Sequence, residues 1–277
     1  MQRTTLRVGL IGAGRAGTVI ARALERVGHH CVAVNAVSEA SRSRAARMLP
    51  SAEVLDAIAV CAASDLVILA VPDDVIGGLV AGLVASGAIT QRHLVMHLSG
   101  RHGTAILEPA TAVGATALAV HPAMTLHGVP EEVARLEHCP FAVTATGDAL
   151  AIGFSLVYEL GGIPAEVAEE DRIRYHAALA HASNHLVTIV AQAMEVLASL
   201  GFPRPGDYVR PLVEASLEGV LRDGDAALTG PIARGDLETV RAHLAALTSA
   251  PGVPSSTVDA YRAIATATAA RRGMEAP

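Results

Sequence analysis

The sequence contains no lysine, so all 21 of its basic residues are arginine. This absence excludes a Walker-type phosphate loop, a Schiff-base lysine and a lysine general acid or base. Aromatic residues are also few, at 3%, and tryptophan is absent. Charged residues make up 17% of the 277 residues, and the net charge is −6. This acidic balance argues against nucleic acid or an anionic membrane as the main partner.

Cysteine is scarce as well. The three cysteines, Cys31, Cys61 and Cys139, include no CxxC spacing, which indicates neither a disulfide framework nor a thiolate zinc site. The N-terminus lacks the pattern of a signal peptide, and no stretch has the composition of a membrane span. We therefore expect free, buried thiols in a cytoplasmic protein without a metal site. The hydrophobic fraction of 51% is sufficient for a real core.

The first half of the chain alternates short apolar runs with helical patterns. The run Leu66–Val71 is continuously apolar, as expected for a strand buried on both faces of a sheet. Repeated strand–helix units predict a parallel, doubly wound α/β sheet of the Rossmann kind. The predicted strands are Leu6–Ile11, Cys31–Val37, Leu66–Val71, His93–Leu98, Thr116–Val120, Phe141–Thr146 and Ile163–Val167.

The pattern changes after about residue 168. Arg172–Leu200 contains no internal proline or glycine, and it predicts one long helix. Asp207–Leu221, Leu237–Leu247 and Thr257–Ala270 follow as helices between breaks rich in turn residues. We therefore predict a dinucleotide-binding domain over residues 1–168 and an all-helical substrate and dimerisation domain over residues 169–277.

A GxGxxG motif directly follows the first predicted strand and opens the first predicted helix. This context makes the motif a specific signal for dinucleotide binding. The first glycine permits a tight turn, the second lets the backbone approach a pyrophosphate, and the third allows close helix–strand packing. Free N–H groups at the start of the helix would then hold the phosphates. The residues of this motif are Gly12, Ala13, Gly14, Arg15, Ala16 and Gly17.

The end of the second predicted strand bears on the choice between NADP and NAD. An NAD enzyme usually places an acid there to bind the ribose hydroxyls, but residues 34–37 contain none. Ser38 and Arg42 follow, and this pair suits a 2′-phosphate. Glu39 is the counter-evidence, so NAD stays possible. Val71 and Pro72, at the end of the third strand, would wall the cofactor cleft.

Six short motifs stand out along the chain: GAGRAG at 12–17, AVPDD at 70–74, HLSG at 97–100, HPAMT at 121–125, YHAALAHASN at 175–184 and LTGPIARGD at 228–236. In this order they make the sequence resemble the Rossmann-like oxidoreductases that carry a helical C-terminal domain of unknown function, number 2520. These are relatives of pyrroline carboxylate reductase, ketopantoate reductase and the phosphogluconate dehydrogenase superfamily. The resemblance covers nearly the whole chain. It implies an NADP-type fold and a dimer, but no particular substrate.

One departure from these relatives concerns the proton donor. Ketopantoate reductases and several hydroxyacid dehydrogenases use a lysine on the first long helix of the second domain, and this chain has none. His121 follows a predicted strand, and His176 lies at the head of the long helix. Histidine has a near-neutral pKa, so we expect this pair to relay the proton and orient the substrate, supported by Ser99 and Asn184. Tyr175 is a weaker alternative donor, and a turn or cap role stays open for His121 and Ser99.

Other polar residues of the second half have less certain roles. At 100° per residue, His176, Ser183 and Asn184 share one face of a regular helix. His181 and His185 are spaced to bind a metal, but no third ligand is evident. Arg234 suits a carboxylate, although a loop salt bridge is the simpler interpretation.

The residues together predict an NADP-dependent oxidoreductase. It would transfer hydride between nicotinamide and a small carbonyl, hydroxy acid or imine, with the cofactor supplying the redox chemistry. A ketopantoate reductase-like activity is an alternative that the missing lysine weakens. A dinucleotide-binding sensor or assembly protein without turnover is the other alternative. The Ala- and Leu-rich second half predicts a homodimer through that domain.

Overall fold

The structure, a computed structural model, describes residues 5–274. Its strands are β1 (Arg7–Ile11), β2 (His30–Asn35), β3 (Glu53–Val54), β4 (Leu66–Leu69), β5 (Leu94–His97), β6 (Thr116–Pro122), β7 (Pro140–Thr144) and β8 (Ile163–Glu166). Its helices are α1 (Arg15–Arg26), α2 (Glu39–Met48), α3 (Ala57–Ala63), α4 (Asp73–Ala85), α5 (Glu108–Ala112), α6 (Ala149–Glu159), α7 (Arg172–Ala180), α8 (Leu186–Ser199), α9 (Pro205–Asp223), α10 (Gly230–Ala233), α11 (Leu237–Ser249) and α12 (Ser255–Arg271). The predicted class, a doubly wound α/β sheet followed by helices, is confirmed.

The eight strands form one sheet in the order β3-β2-β1-β4-β5-β6-β7-β8. Strands β1 to β6 are all parallel, but β7 pairs with β6 in the antiparallel sense. The prediction of a wholly parallel sheet is therefore wrong at this pair. The chain between the two strands contains only a short 3₁₀ helix, Pro130–Leu136. A parallel pair needs a crossover that packs on the sheet, and this segment turns back along β6 instead.

The core of the sheet lies on both of its faces. Strand β4 is fully buried from Leu66 to Leu69, as its continuous apolar sequence predicts. Alternation of side chains sends Leu10 and Ile68 into one hydrophobic cluster, and Ile11 and Val67 into the other. Helices on both faces thus hold the strand ends in place, and these ends carry the candidate site.

Three features of the structure depart from the sequence predictions. Strand β3 and helix α3 were not predicted, because two exposed strand residues and a seven-residue helix give little periodicity. The predicted long helix Arg172–Leu200 is interrupted by a π-helical segment, His181–His185. Strand β6 also runs on to Pro122, so His121 is the second-last residue of this strand rather than a loop residue.

The chain divides into two compact units after Leu179. The predicted domain boundary, between residues 168 and 169, lies before helix α7, whose first residue Arg172 is buried against the strands of the first unit. The second unit consists of the π-helical segment and helices α8 to α12. Within the described range, no helix is both long enough and apolar enough to cross a membrane.

Candidate functional site

The glycine-rich turn has the geometry that the motif predicts. Gly12 has a φ of +93°, and a Cβ there would lie 2.6 Å from the backbone oxygen of Ala70. A Cβ at Gly17 would lie 2.5 Å from the Cβ of Ala70, so α1 packs directly on the end of β4. Gly14 has more space, because its nearest neighbour would be 3.5 Å away. The tight turn and the close packing expected of the first and third glycines are therefore present.

Helix α1 begins at the mouth of this turn with free donors. Gly14 is its N-cap, and no side chain caps the helix there. The first N–H groups of a helix have no intrahelical acceptor, and they carry the positive end of the helix dipole. Val71 walls the turn, since its Cγ1 would be 3.0 Å from a Cβ at Gly12. The backbone of residues 13–17 therefore offers a small cradle that suits an anion such as a pyrophosphate.

The residues predicted to select NADP lie just beyond β2. Ser38 is the N-cap of α2, and its Oγ accepts a hydrogen bond from the Ser41 N–H, 3.1 Å away. Arg42 is exposed, and its guanidinium donates to the Val37 carbonyl. Arg44 donates to the Ala13 carbonyl of the glycine turn at 2.8 Å. Arg44 of α2 thus lies beside the turn, whereas Arg42 contacts the segment just after β2, and its role in holding a phosphate stays a prediction.

A second polar cluster lies at the carboxyl ends of β5 and β6. The Nδ1 atom of His121 is 2.9 Å from the Tyr175 hydroxyl. The His121 ring is edge-on to the ring of His176, with 6.0 Å between centroids. A Cβ at Gly100 would lie 2.5 Å from the His176 Cδ2 and 2.9 Å from the His121 Nε2. The predicted pair His121 and His176 is therefore brought together, and Gly100 is the residue that leaves room for both rings.

The pKa of His121 differs from the sequence expectation. Burial, together with the charges of the nearby His176 and Arg172, lowers it from 6.5 to about 4. The near-neutral pKa assumed for His121 is therefore wrong, because a ring removed from water holds its charge less readily. At neutral pH this imidazole is uncharged and carries a single N–H. A proton relayed by this ring therefore enters at the acceptor nitrogen and leaves from the N–H.

Ser99 has a clear structural role beside the cluster. It is buried, and its Oγ accepts a hydrogen bond from the His102 N–H at 3.3 Å. Its own N–H donates to the His97 Nδ1 at 3.1 Å, and the other ring nitrogen of His97 is 2.8 Å from the Gly103 carbonyl. Because Nδ1 accepts, Nε2 carries the proton of His97. These bonds fix the loop that places Gly100 under the two histidine rings.

Arg172 is the principal residue of the cluster that the sequence did not indicate. It is fully buried, and its guanidinium donates to the Thr144 hydroxyl at 2.7 Å and to the Ala119 carbonyl at 2.8 Å. It also donates to the carbonyls of Ala142 and Ser99, at 3.3 and 3.4 Å. The first turn of α7 is thereby joined to β6, to β7 and to the loop after β5.

Asn184 lies in the second compact unit, within the π-helical segment. The projection of 100° per residue that grouped it with His176 and Ser183 assumed a regular α-helix, and it is wrong across residues 181–185. A common face for these side chains stays a prediction. In the same segment, the Nδ1 atoms of His181 and His185 are 2.7 Å apart. No group of three metal-ligating side chains occurs among residues 5–274.

Comparisons with known proteins agree with this architecture. The Rossmann-like domain model matches residues 1–122, and the domain of unknown function DUF2520 matches residues 139–268. The chain therefore carries a Rossmann-like domain followed by a DUF2520 domain. No curated protein matches this sequence.

Solved structures share the fold over most of the chain. An NADP oxidoreductase candidate from Bacteroides fragilis is 22% identical with a TM-score of 0.80, over 96% of this chain and 98% of its own. An imine reductase from a Pseudomonas species is 18% identical with a TM-score of 0.68, over 98% and 97%. A reductive aminase from Aspergillus terreus, in complex with NADPH, is 19% identical with a TM-score of 0.67, over 99% and 96%.

Proposed function

We propose that this protein is an NADP-dependent oxidoreductase that transfers hydride between nicotinamide and a small carbonyl, hydroxy acid or imine. The observation that carries the proposal is the cluster of His121, Tyr175 and His176 around Gly100. It lies at the same sheet edge as the glycine turn, because β1, β4, β5 and β6 are parallel. Ligands of such sheets bind at this edge, where the strand order reverses between β1 and β4.

Three sets of residues would each bind a different part of the cofactor. The N–H groups of residues 13–17 would hold the pyrophosphate, and Val71 with Pro72 would line the adjacent wall. Ser38 and Arg42 would hold the 2′-phosphate, with NAD as the weaker ligand. When bound, NADP(H) supplies the hydride or accepts it. The names of the similar structures, which include an NADPH complex and an imine reductase, support this class of reaction.

The polar cluster would manage the proton that accompanies the hydride. His121 and His176 would form the relay and orient the substrate, while Ser99 fixes the loop beneath them. A role for Asn184 in this step stays a prediction from the sequence. None of these roles requires a lysine, which the chain lacks.

A substrate screen with NADPH consumption as the readout tests this proposal. Ketones, 2-oxo acids and cyclic imines are each offered with NADPH, and the reverse reaction is tested with NADP and hydroxy acids. We expect turnover with at least one class. Tight binding of NADPH with no turnover in any class would favour the sensor, and no binding of either cofactor would reject the proposal.

We further propose a homodimer formed through the helical unit. Helix α8 is largely apolar, yet none of its residues is buried within the chain. Val187 is 67% exposed, and Ile189 and Met194 are also exposed. Helices α8, α9, α11 and α12 further border a mainly apolar cavity of about 690 Å³. Exposed apolar area of this extent is typical of an interface, and a second copy would cover it.

A further inference from the structure

We propose that Tyr175 is the group that hands the proton to the substrate, and that buried Arg172 is the positioning residue that fixes the first turn of α7, which carries Tyr175, and places its charge beside the cluster. This inference rests on the proposed function, because it assigns the proton step of that reaction. It replaces the missing lysine by a tyrosine and an arginine that lie one helical turn apart on α7.

Tyr175 lies where α7 meets β6 in the first unit. It is half-buried on α7, its hydroxyl is 2.9 Å from the His121 Nδ1, and its ring is edge-on to His121 at 5.7 Å. The Nε2 atom of His121 lies over Gly100, 2.9 Å from the place that a Cβ of Gly100 would occupy. The hydroxyl of Tyr175 is thus held at the rim of the cluster by a partner on β6, rather than rotating freely in solvent.

The direction of the Tyr175–His121 hydrogen bond decides which group can donate. A neutral imidazole has one N–H and one acceptor nitrogen. When Nδ1 carries the hydrogen, it donates to the tyrosine oxygen, and the tyrosine O–H is free for the substrate. Burial raises the pKa of Tyr175, so this phenol keeps its proton throughout the neutral range. Tyr175 is therefore a reliable acid, whereas His121 has no second proton to give.

Arg172 fixes the helix turn that carries Tyr175 by hydrogen bonds to groups without charge. All four of its hydrogen bonds go to uncharged oxygens, namely one hydroxyl and three backbone carbonyls. Glu169 acts on Arg172 through its charge, but its carboxylate caps the N–H groups of Thr104 and Ala105 at 2.7 and 3.3 Å. The guanidinium charge is therefore available to the cluster, and it favours a phenolate on Tyr175 over a neutral phenol.

Other charged and titratable groups also face the cluster. His176 and Arg172 on α7 and His97 on β5 oppose a positive charge on His121, and Asp73 at the start of α4 favours one. Cys139, which precedes β7, opposes a negative charge on Tyr175. Burial has the largest effect on the pKa of His121 and of Tyr175, and the charge of Arg172 makes a smaller contribution to each.

In the direction of reduction, bound NADPH would supply a hydride to the carbonyl or imine carbon, and the electron pair of the double bond would pass to oxygen or nitrogen. The Tyr175 O–H bond breaks as the new O–H or N–H bond forms. The phenolate is stabilised by the Arg172 charge and accepts the Nδ1–H of His121. A proton taken from water, passed through His121, restores the phenol, so one hydride and one proton are consumed in each turnover.

The first test is Tyr175→Phe, which removes only the hydroxyl. We expect kcat to fall by about 10²-fold or more, while KM and the Kd for NADPH change by less than about threefold. Tyr158→Phe is the matched control, because Tyr158 is 64% exposed on α6, and it should keep full activity. A Tyr175→Phe enzyme that retains a third or more of wild-type kcat would overturn the assignment of Tyr175.

A second measurement does not depend on the folding of that variant. The wild-type chain is produced with fluorotyrosine at all of its tyrosines, which lowers the pKa of each phenol. If Tyr175 is the acid, the alkaline limb of the kcat profile moves to lower pH. An unmoved limb contradicts the proposal.

The role of Arg172 is tested by NMR titration of the His121 ring in the protein without cofactor. Arg172→Gln and Arg172→Met remove the charge and should raise the pKa of His121 above its value of about 4. Arg172→Lys retains the charge, so it should leave that pKa near 4 while lowering kcat by about tenfold through lost positioning. An unchanged pKa in the charge-removal variants, or an Arg172→Lys enzyme with wild-type kcat, would overturn the role of Arg172.

The outcomes separate this inference from the proposed function. A wild-type protein that consumes NADPH while Tyr175→Phe stays active supports the function and rejects the acid. A wild-type protein that consumes no NADPH with any substrate rejects both, although the NMR titration still reports whether Arg172 controls His121.

Discussion

Among single residues, one buried and one partly buried histidine, both neutral, make stability depend on pH. Burial lowers the pKa of His97 and of His121 from 6.5 to about 4. The unfolded chain therefore binds protons between about pH 6.5 and pH 4 that the folded chain refuses, and stability falls as the pH falls through this window. Each shift is worth on the order of 3 kcal/mol when the window has been crossed.

Urea unfolding at pH 7 and at pH 4.5 measures this effect. We expect a clearly lower free energy of unfolding at the lower pH, and a smaller difference in His121→Gln, which cannot titrate. Glu132 acts in a separate window, because the N–H groups and the ring of His127 help to lower its pKa to about 2. Its contribution is lost only below about pH 4.5. A free energy of unfolding that does not change between the two pH values would contradict the account of the histidines.

Gly100 gives a prediction about space rather than charge. Gly100→Ala places a methyl group within 3.0 Å of both the His176 and the His121 ring, so one ring must move. We expect a fall of about tenfold or more in kcat, since misplaced catalytic groups lose rate steeply. Gly78→Ala is the matched control, because nothing lies within 4 Å of that position on α4. Wild-type activity in Gly100→Ala would show that the arrangement of the two rings is not needed.

Arg42 tests the choice of cofactor. Arg42→Ala should weaken NADPH binding by about tenfold or more and leave NADH binding nearly unchanged, because only NADPH has the 2′-phosphate that this charge would hold. Arg26→Ala, an exposed substitution at the end of α1, is the control. Calorimetric titration with both cofactors provides the comparison. Equal affinities of the wild-type protein for NADPH and NADH would contradict the prediction.

Among the strands and helices, those with a strong hydrophobic pattern could be predicted from the sequence, and those with a weak pattern could not. The apolar run of β4 and the glycine turn before α1 are determined locally, so their places could be predicted from the sequence. Strand β3 forms only because β2 supplies its partner, and two residues carry no signal of that pairing. The antiparallel direction of β7 likewise depends on how a loop returns across the sheet, which composition does not show.

The candidate site shows the same division. His121 and His176 were predicted because histidines at a strand end and a helix start are conspicuous. Arg172 was missed because its local sequence resembles that of Arg174, which is exposed. Only the tertiary packing of α7 against β6 and β7 distinguishes the two arginines. The lowered pKa of His121 was missed for the same reason, since burial by distant elements causes it.

At the scale of the whole molecule, the apolar surface of α8 gives a prediction about assembly. We expect a homodimer in analytical ultracentrifugation at micromolar concentration. Val187→Glu should shift it towards the monomer, because a carboxylate buried in an apolar interface is costly. Val113→Glu, at an exposed position in the first unit, should leave the dimer intact. A wild-type monomer at this concentration would contradict the prediction.

Single-turnover oxidation of NADPH shows whether the glycine turn and the His121–Tyr175–His176 cluster form one reductase site. Stoichiometric NADPH is mixed with the wild-type protein and with Tyr175→Phe, and each class of carbonyl or imine is added in turn. We expect rapid oxidation of NADPH by the wild-type protein with at least one class. We also expect oxidation about 10²-fold slower in the variant, at unchanged NADPH affinity. Bound NADPH that no substrate oxidises in the wild-type protein would show that the turn and the cluster do not form a reductase site.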